Sequence, residues 1–337
     1  GDKLLKQTGR EALTVNYPQQ LYRVVVIADW LQPETISDLR TLDLDVIEVH
    51  FENSTKAESL KTAIRQIEKP YDYVVILDID NVMEKDFLEK INIRLQDNKL
   101  ILQGHRVAKN TDTPFAILDA VSEEINNHIF RTGHRAVGLS AAFIGSGKAI
   151  QLDFFKSLIQ DIHSVGEDKE MELKLLSQKE VIHYAPNALV YDEKTQEGTN
   201  FQNQRKRWLS AQLLFLRTHF WPALKALFKQ GNIDYFDKML QMMLFPRLLL
   251  LGTLLTASIA AFLFPVVMIP GFKAWAALFL GTLTAIWIAV PRSFYNWKSI
   301  KAVAYLPKAF VLMFIALFKL KGASKKFIHT DHRTIKK

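Results

Sequence analysis

The chain has 337 residues, which allows one large domain or two smaller ones. It contains no cysteine, which excludes a disulfide scaffold and thiolate metal sites and fits a reducing compartment. The net charge of +8 is uneven, because residues 238–337 hold 14 Lys and Arg against one Asp and the rest is net negative. Two regions in different solvents explain this better than one basic protein that binds nucleic acid, so we expect no nucleic-acid partner.

The first part of the chain alternates strands with helices. After a helix within residues 1–20, apolar strands are predicted at 23–28, 46–51 and 73–77, and helices at 33–42 and 56–67. Such alternation predicts parallel βαβ units. No strand leads into the opening helix, so we expect an N-terminal truncation.

The strand at 73–77 is apolar on both faces and ends in two carboxylates, Asp78 and Asp80. Residues i and i+2 of an extended segment point the same way, and open α/β sheets bind ligands at the carboxyl ends of their strands. The pair could therefore face one hard cation or one sugar nucleotide. A capping role for Asp78 with a solvated Asp80 fits these residues equally well.

Two more polar residues stand at the ends of predicted elements. Asp29 follows the strand at 23–28, and Lys56 opens the helix at 56–67. A lysine at a helix start could meet a phosphate with help from the exposed N–H groups, although a solvated lysine is commoner there.

The middle of the chain continues the alternation, with helices at 86–95, 113–130 and 154–162 and strands at 100–103, 181–184 and 188–191. Between them, the segment Gly145-Ser146-Gly147 would permit close backbone approach to a ligand. It lacks the spacing of a Walker loop.

A helix that opens at Gly166 carries Glu167 and Asp168 in its first turn. Acids there complement the helix dipole, or one of them is a general base aimed into a cleft.

The helix predicted at 200–216 contains Gln204, Arg207 and Trp208. The arginine fork can clamp a pyrophosphate, and the tryptophan offers a flat face for a sugar or base. A solvated basic helix face is the alternative.

Beyond this helix the chain becomes apolar. Residues 248–272 and 274–291 carry no charge and are long enough to cross a bilayer, whereas 302–320 carries Lys308 and either spans or lies at the interface. Segments 215–228 and 235–245 are amphipathic. Buried core helices are the alternative, which the absence of acidic residues between 238 and 330 disfavours.

Basic residues indicate the topology of these segments. Arg292, Lys298 and Lys301 place the loop after the second span in the cytoplasm. Because the C-terminal tail is also basic, we expect the third apolar run not to cross fully.

Taken in order, these motifs resemble the membrane-embedded family 2 glycosyltransferases, which include cellulose and hyaluronan synthases. The resemblance covers residues 16–333. One Asp-x-Asp pair is a weak signal, whereas the ordered set followed by apolar spans is a strong one. The set is Ile27-Ala28-Asp29, Lys56, Leu77-Asp78-Ile79-Asp80, Gly145-Ser146-Gly147, Gly166-Glu167-Asp168, Gln204-Arg205-Lys206-Arg207-Trp208 and the segment KFIHTDHR at 326–333.

The resemblance implies an α/β fold of the GT-A type, with a Rossmann-like mixed sheet, as the catalytic domain over residues 1–212. Amphipathic interface helices would follow at 213–246, a transmembrane region at 247–321 and a basic cytosolic tail at 322–337. The protein would be integral to a membrane, such as the bacterial inner membrane, with its catalytic domain in the cytoplasm and membrane lipid around its helices.

The implied activity is inverting transfer of a sugar from a nucleotide sugar, usually a UDP-sugar, to a hydroxyl of a glycan or lipid-linked acceptor. The resemblance also implies a role for each motif. Asp29 would contact the uracil and Lys56 the nucleotide, whereas Asp78 and Asp80 would bind Mg²⁺ or Mn²⁺ at the diphosphate. Arg207 would hold the pyrophosphate, and Asp168 would be the general base. The acceptor side would be shaped by Gly145, Ser146, Gly147, Glu167, Gln204 and Trp208.

The sequence departs from the family in three places. We expect the strand that precedes the opening helix in relatives to be missing, Thr55 stands where relatives usually have glycine, and Phe327 stands where they often have tryptophan. A membrane-anchored binding protein with an inactive transferase domain is one alternative. A metal-dependent nucleotidyltransferase is another, but the motif around Arg207 and the apolar spans do not suit it.

Overall fold

The computed structural model describes residues 2–52, 54–96, 99–194, 198–266 and 269–318, without the side chains of residues 3, 198–205, 207 and 316–318. Within them, seven strands form two sheets. The strands are β1 Val25–Asp29, β2 Asp45–Val49, β3 Tyr73–Ile76, β4 Val82–Met83, β5 Ile101–Ala108, β6 Lys148–Gln151 and β7 His183–Asp192.

Helices cover both faces of the larger sheet and make up the C-terminal part. They are α1 Asp2–Ala12, α2 Pro33–Arg40, α3 Lys56–Gln66, α4 Phe87–Leu95, α5 Pro114–Asn126, α6 His134–Ala136, α7 Leu152–Gln160, α8 Glu167–Ser177, α9 Gly198–Gln230, α10 Ile233–Met243, α11 Arg247–Leu263, α12 Phe272–Ala289, α13 Trp297–Val303 and α14 Leu306–Phe318. A π-helix, Asn127–Gly133, continues α5.

The two sheets differ in pairing. β1 and β2 are parallel, as predicted. The larger sheet is mixed and has the order β3-β6-β5-β7-β4, so the prediction that the third strand joins β1 and β2 is wrong. β3 instead pairs with β6 in antiparallel register, from Tyr73 opposite Gln151 to Ile76 opposite Lys148. Hydrophobic alternation predicts a strand but does not encode its distant partner.

Two predicted pairs of elements are single elements. Residues 183–184 of the first predicted strand and all of the second, 188–191, belong to one strand, β7, whereas Val181 and Ile182 precede it. The pairing of β7 with β5 shifts between Gly104 and His105. This irregularity accommodates Pro186, which cannot donate to a ladder. The helices predicted at 200–216 and 215–228 are one helix, α9, which continues through Pro222.

The core lies on both faces of the larger sheet because neighbouring residues of β6 point to opposite sides. Ile150 belongs to a fully buried cluster with Phe155 of α7 and Met171 of α8. Ala149 belongs to a second cluster with Phe87 of α4. The sheet therefore holds α7 and α8 on one side and α4 on the other.

In the described part of the C-terminal region, a single helix, α12, is both long enough and apolar enough to cross a membrane. The helices α10 and α11 pass the same criterion only together, with a bend of 61° between them, and Leu306–Ile315 is a shorter apolar helix. The helix α11 ends at Leu263, before the end of the uncharged run, because Pro265 disfavours helix at the residue before it.

A groove of about 1550 Å³ separates the two sheets. Val25 and Ile27 of β1 line one side, and Val74 and Ile76 of β3 line the other. No strand of the described residues lies between them. The groove runs on to the carboxyl ends of both strands, where Asp29 and Asp78 line it.

Replacing Gly104 of β5 by alanine should destabilise the protein. A Cβ there would lie 2.9 Å from Gly147 O and 2.9 Å from Phe87 Cε2, and the backbone oxygen cannot move cheaply. We expect a loss of about 1–3 kcal/mol and a lower midpoint in thermal unfolding. The control is Gly281→Ala, whose new Cβ meets nothing within 4 Å. Equal midpoints for the two variants would contradict the packing at β5.

Candidate active site

Lys56 stands at the centre of the candidate site. It is the first residue of α3, which Thr55 caps by accepting a hydrogen bond of 3.2 Å from Glu58 N. The Lys56 ammonium forms an ion pair with Asp78, donates to Gly145 O at 2.7 Å, and lies 3.4 Å from Glu167 Oε1. One lysine therefore connects three segments that are far apart in the chain.

Burial and opposite charge compete at this cluster. Burial lowers the pKa of Lys56, but Asp78 and Glu167 raise it more, so the pKa lies above its usual value. Burial raises the pKa of Asp78, but Lys56 lowers it more, so the carboxylate stays ionised. At Glu167 burial dominates, and the pKa is raised although Lys56 opposes it.

The two acids of the Asp-x-Asp pair have different surroundings. Residues 78–81 form a turn in which Asn81 N donates to Asp78 O at 3.0 Å, so these residues are not the extended segment that the sequence predicted, although both acids line the groove. The Asp78 side chain pairs with Lys56, whereas Asp80 Oδ1 accepts a hydrogen bond of 2.9 Å from Asn81 Nδ2. The same Nδ2 donates to Asp192 Oδ1 at 2.9 Å.

The sequence analysis did not single out Asp192 as a site residue, although the same kind of pattern identified Asp29. It is an acid at the carboxyl end of a largely apolar strand, β7, and it lines the same groove. Through Asn81, which is fully buried, Asp192 fixes the position of Asp80.

Asp29 ends β1 and lines the groove. One of its oxygens, Oδ2, accepts a hydrogen bond from the Ser54 hydroxyl. The other, Oδ1, is buried and has no hydrogen-bond partner among the described residues. Because an unsatisfied buried acceptor is costly, this oxygen fits a ligand N–H donor.

The first turn of α8 carries Glu167 and Asp168, and both line the groove. Glu170 of the same turn accepts hydrogen bonds from His163 N at 3.0 Å and Ser164 N at 2.7 Å, and so binds the loop before the helix. Asp168 Oδ1 accepts from the adjacent Lys169 N at 2.8 Å. Asp168 therefore does not tie the preceding loop, and its carboxylate lies at the groove.

The segment Gly145-Ser146-Gly147 supports the site mainly from the buried side of the groove. Gly145 lines the groove, and a Cβ there would lie 3.4 Å from Lys56 Nζ and 3.5 Å from Asp78 Oδ2. Ser146 is fully buried, and its Oγ accepts a hydrogen bond of 3.0 Å from Asp78 N. Gly147 has a left-handed φ of 69° and donates to Ile76 O at 2.8 Å.

Trp208 of α9 lines the groove with 40% of its surface exposed. The side chains of Gln204 and Arg207 lie outside the described residues. The groove thus brings together eight of the predicted site residues, namely Asp29, Lys56, Asp78, Asp80, Gly145, Glu167, Asp168 and Trp208.

A buried ionic cluster supports the wall of the groove. Glu172 of α8 accepts hydrogen bonds from Phe143 N at 2.8 Å, Lys169 Nζ at 2.9 Å and Lys238 Nζ at 2.7 Å. Burial raises the pKa of Glu172, but the two lysines lower it more, to about 2. The cluster joins α8, α10 and the segment that leads to Gly145.

Carboxylates are suitable ligands for Mg²⁺ and Mn²⁺, and Asp80 offers one at the groove. Asp78 is engaged by Lys56, and the described residues contain no group of three or more His, Asp or Glu side chains arranged to hold a metal ion. The donor set therefore fits a cation whose remaining ligands come from a bound diphosphate or water.

Comparison with solved structures defines the class of fold. A mannosyltransferase, PcManGT from Pyrobaculum calidifontis, solved with GDP-Man and Mn²⁺, is 17% identical with a TM-score of 0.51, over 96% of this chain and 85% of that chain. TarS 1–349 from S. aureus, solved with UDP-GlcNAc, is 13% identical with a TM-score of 0.46, over 92% of this chain and 88% of that chain. The fold is the GT-A fold, as the sequence predicted.

The family follows from the sequence. Residues 73–290 match the family model described as "Glycosyl transferase family group 2". The chain belongs to this family and is a glycosyltransferase. No curated protein gives a significant match.

Replacing Glu172 by glutamine should make the free energy of unfolding depend less on pH in the acidic range. A carboxylate with a lowered pKa stabilises the fold above its unfolded value of 4.5 and loses that contribution as the pH falls towards 2. At pH 7, urea unfolding should show Glu172→Gln less stable by about 2–4 kcal/mol, because two buried lysines lose their counter-charge. The difference should shrink below pH 4.5.

The control is Glu34→Gln, which changes an exposed side chain. A difference between wild type and Glu172→Gln that stayed constant from pH 7 to pH 3 would contradict the role assigned to the cluster.

Proposed function

We propose that the protein transfers a sugar from a nucleotide sugar to a hydroxyl of a glycan or lipid-linked acceptor at the cytoplasmic face of a membrane, with inversion at the anomeric carbon. The single observation that carries this proposal is the convergence of Asp29, Asp78, Asp80 and Asp168 with Lys56 on one groove. These residues come from four separate segments of a family 2 chain, and they combine sites for a base, a diphosphate and a proton.

The donor would lie across the carboxyl ends of β1 and β3. The unsatisfied Oδ1 of Asp29 would accept a ring N–H of the base, which uracil and guanine both offer. Lys56 would exchange Asp78 for a phosphate oxygen, and Arg207 would grip the pyrophosphate through its fork. Donors of this class suit the fold, since the similar mannosyltransferase was solved with GDP-Man and Mn²⁺.

Asp80, with Asp78 beside it, would hold Mg²⁺ or Mn²⁺. When bound, such a cation stabilises the negative charge that grows on the departing diphosphate. The chain's own contribution there is to orient Asp80 through Asn81 and Asp192 and to supply the charge of Lys56.

Transfer requires that the acceptor hydroxyl loses its proton as its oxygen attacks the anomeric carbon. Asp168 would take that proton while the bond to the diphosphate oxygen breaks on the opposite side. Glu167 keeps Lys56 in place from below. The acceptor would approach along Trp208 and Gln204, past Gly145, while Ser146 and Gly147 support this wall from their buried positions.

The C-terminal helices support a membrane location. The helix α12 is exposed over most of its surface and apolar enough to span, and α10 and α11 form a bent apolar pair beside it. Acceptor and enzyme would thus meet at the bilayer surface, where a lipid-linked or exported glycan is accessible.

Variants of two acids should separate donor binding from transfer. We expect Asp80→Ala to abolish metal-dependent binding of the nucleoside diphosphate in calorimetry. Asp168→Asn should keep binding within about twofold and lower transfer by about 10²–10⁴-fold, the range for a general base. Transfer is measured as release of nucleoside diphosphate from a panel of UDP- and GDP-sugars with native membranes, and chelation should stop it.

Asp153→Asn serves as the matched control, since that side chain is 82% exposed on α7. Normal turnover by both Asp80→Ala and Asp168→Asn would refute the site. Release of pyrophosphate from a nucleoside triphosphate would instead favour a nucleotidyltransferase.

Membrane integration can be tested on α12. The wild-type protein should stay in the membrane pellet after an alkaline carbonate wash. Aspartates at Leu280 and Leu283, which are 58% and 43% exposed, should reduce the retained fraction, because each charge at the centre of a span costs about 2.5–3.5 kcal/mol. Leu280→Ile is the control. Recovery of the wild type in the supernatant would contradict a spanning α12.

A further inference from the structure

Lys148 is a buried lysine that the activity described above does not use. It is the first residue of β6, the strand between β3 and β5, where it lies opposite Ile76 and Gln103. Its relative exposure is 0%. A lysine at the centre of a sheet is unusual, because charged side chains are rarely fully buried without a partner.

The ammonium group of Lys148 has no hydrogen-bond partner among the described residues. It lies over the ring of Phe143, 4.6 Å from the centroid, which stabilises a cation only partly. An apolar side chain of similar length would cost the fold less at this position. Costly groups of this kind concentrate at functional sites.

The surroundings of Lys148 connect it to the active site. Phe143 is held by α8 through both of its backbone groups, since its N–H donates to Glu172 and its C=O accepts from Lys169 Nζ at 2.8 Å. The same helix begins with Glu167 and Asp168. Lys148 thus connects through Phe143 to the helix that carries these two acids, and its strand partner Ile76 lies two residues before Asp78.

The charges acting on Lys148 are those of the site itself. Burial and the nearby Lys56 lower its pKa to about 8, whereas Glu167, Asp168 and Asp78 raise it. At pH 7 the group is therefore largely charged. Lys148 is thus a second cation, besides Lys56, that interacts with these three carboxylates.

We propose that Lys148 is a positioning residue for donor binding: its buried ammonium is a counter-charge of Asp78, Glu167 and Asp168, which allows Lys56 to exchange Asp78 for the donor diphosphate. The inference rests on the proposed function. Lys148 cannot touch the ligand, because it is fully buried, and it acts through Lys56. Without it, three carboxylates would hold Lys56 more tightly and would repel the diphosphate.

The test compares how Lys148→Met binds charged and uncharged ligands. This substitution keeps the approximate length and volume of the side chain but removes its positive charge. With Mn²⁺ present, calorimetry should show Kd for UDP or GDP raised at least about fivefold, because a buried charge acts through a low dielectric. Binding of the uncharged nucleosides should change less than twofold. The thermal midpoint should stay equal or rise, since the substitution also removes the desolvation cost of a buried ammonium that makes no hydrogen bond among the described residues.

Lys148→Arg is the rescue variant and should restore diphosphate binding, and Lys148→Gln repeats the loss of charge if methionine disturbs packing. Lys156→Met, an exposed lysine of α7, is the matched control and should bind as the wild type does. Equal losses of affinity for the nucleoside and the nucleoside diphosphate would show a structural role and overturn the proposal. A lower thermal midpoint together with lost binding would do the same. Unchanged affinity for the diphosphate would also overturn it, because Lys148 would then have no role in donor binding.

The outcome also separates this inference from the proposed function. If wild-type protein binds neither UDP nor GDP with Mn²⁺, the proposed function fails. If wild type binds and Lys148→Met binds equally well, only the role of Lys148 fails.

Discussion

The ion pairs of Lys56 are the interaction on which the site depends. Its ammonium lies between Asp78 at the end of β3, Gly145 O and Glu167 at the start of α8. The two carboxyl groups, of Asp78 and Glu167, need such a cation to be ionised together, because like charges in a low dielectric raise one another's pKa. The Lys56 side chain thereby holds the walls of the groove together. Its positive charge is the one for which a diphosphate would compete with Asp78.

Rigid support for this pair comes from the larger sheet. Ser146 accepts from the backbone of Asp78, Gly147 donates to β3, and Glu172 fixes the segment before them to α8. Each contact is between buried groups, where an unmade hydrogen bond costs most. The helices α8 and α10 share the Glu172 cluster through Lys238, so the buried charges link the groove to the C-terminal helices.

Hydrogen bonding rather than hydrophobic pattern separates the two acids of the Asp-x-Asp pair. The turn at residues 78–81 directs Asp78 to Lys56 and leaves Asp80 with Asn81, which Asp192 holds in turn. One acid is thus structural and electrostatic in the free protein, and the other is presented at the groove.

The sequence by itself determined the α/β class and the acids at the ends of β1 and β3, because apolar runs and the residues that end them are local signals. The GT-A fold was implied by the resemblance of the ordered motifs to a known family. Only the tertiary structure decided that β3 pairs with β6, that β7 is one strand, and that Lys56 meets Asp78 and Gly145. It also revealed Asp192 and Lys148. Those contacts join residues far apart in the chain, and side-chain charge acquires its meaning only from the burial and neighbours that folding supplies.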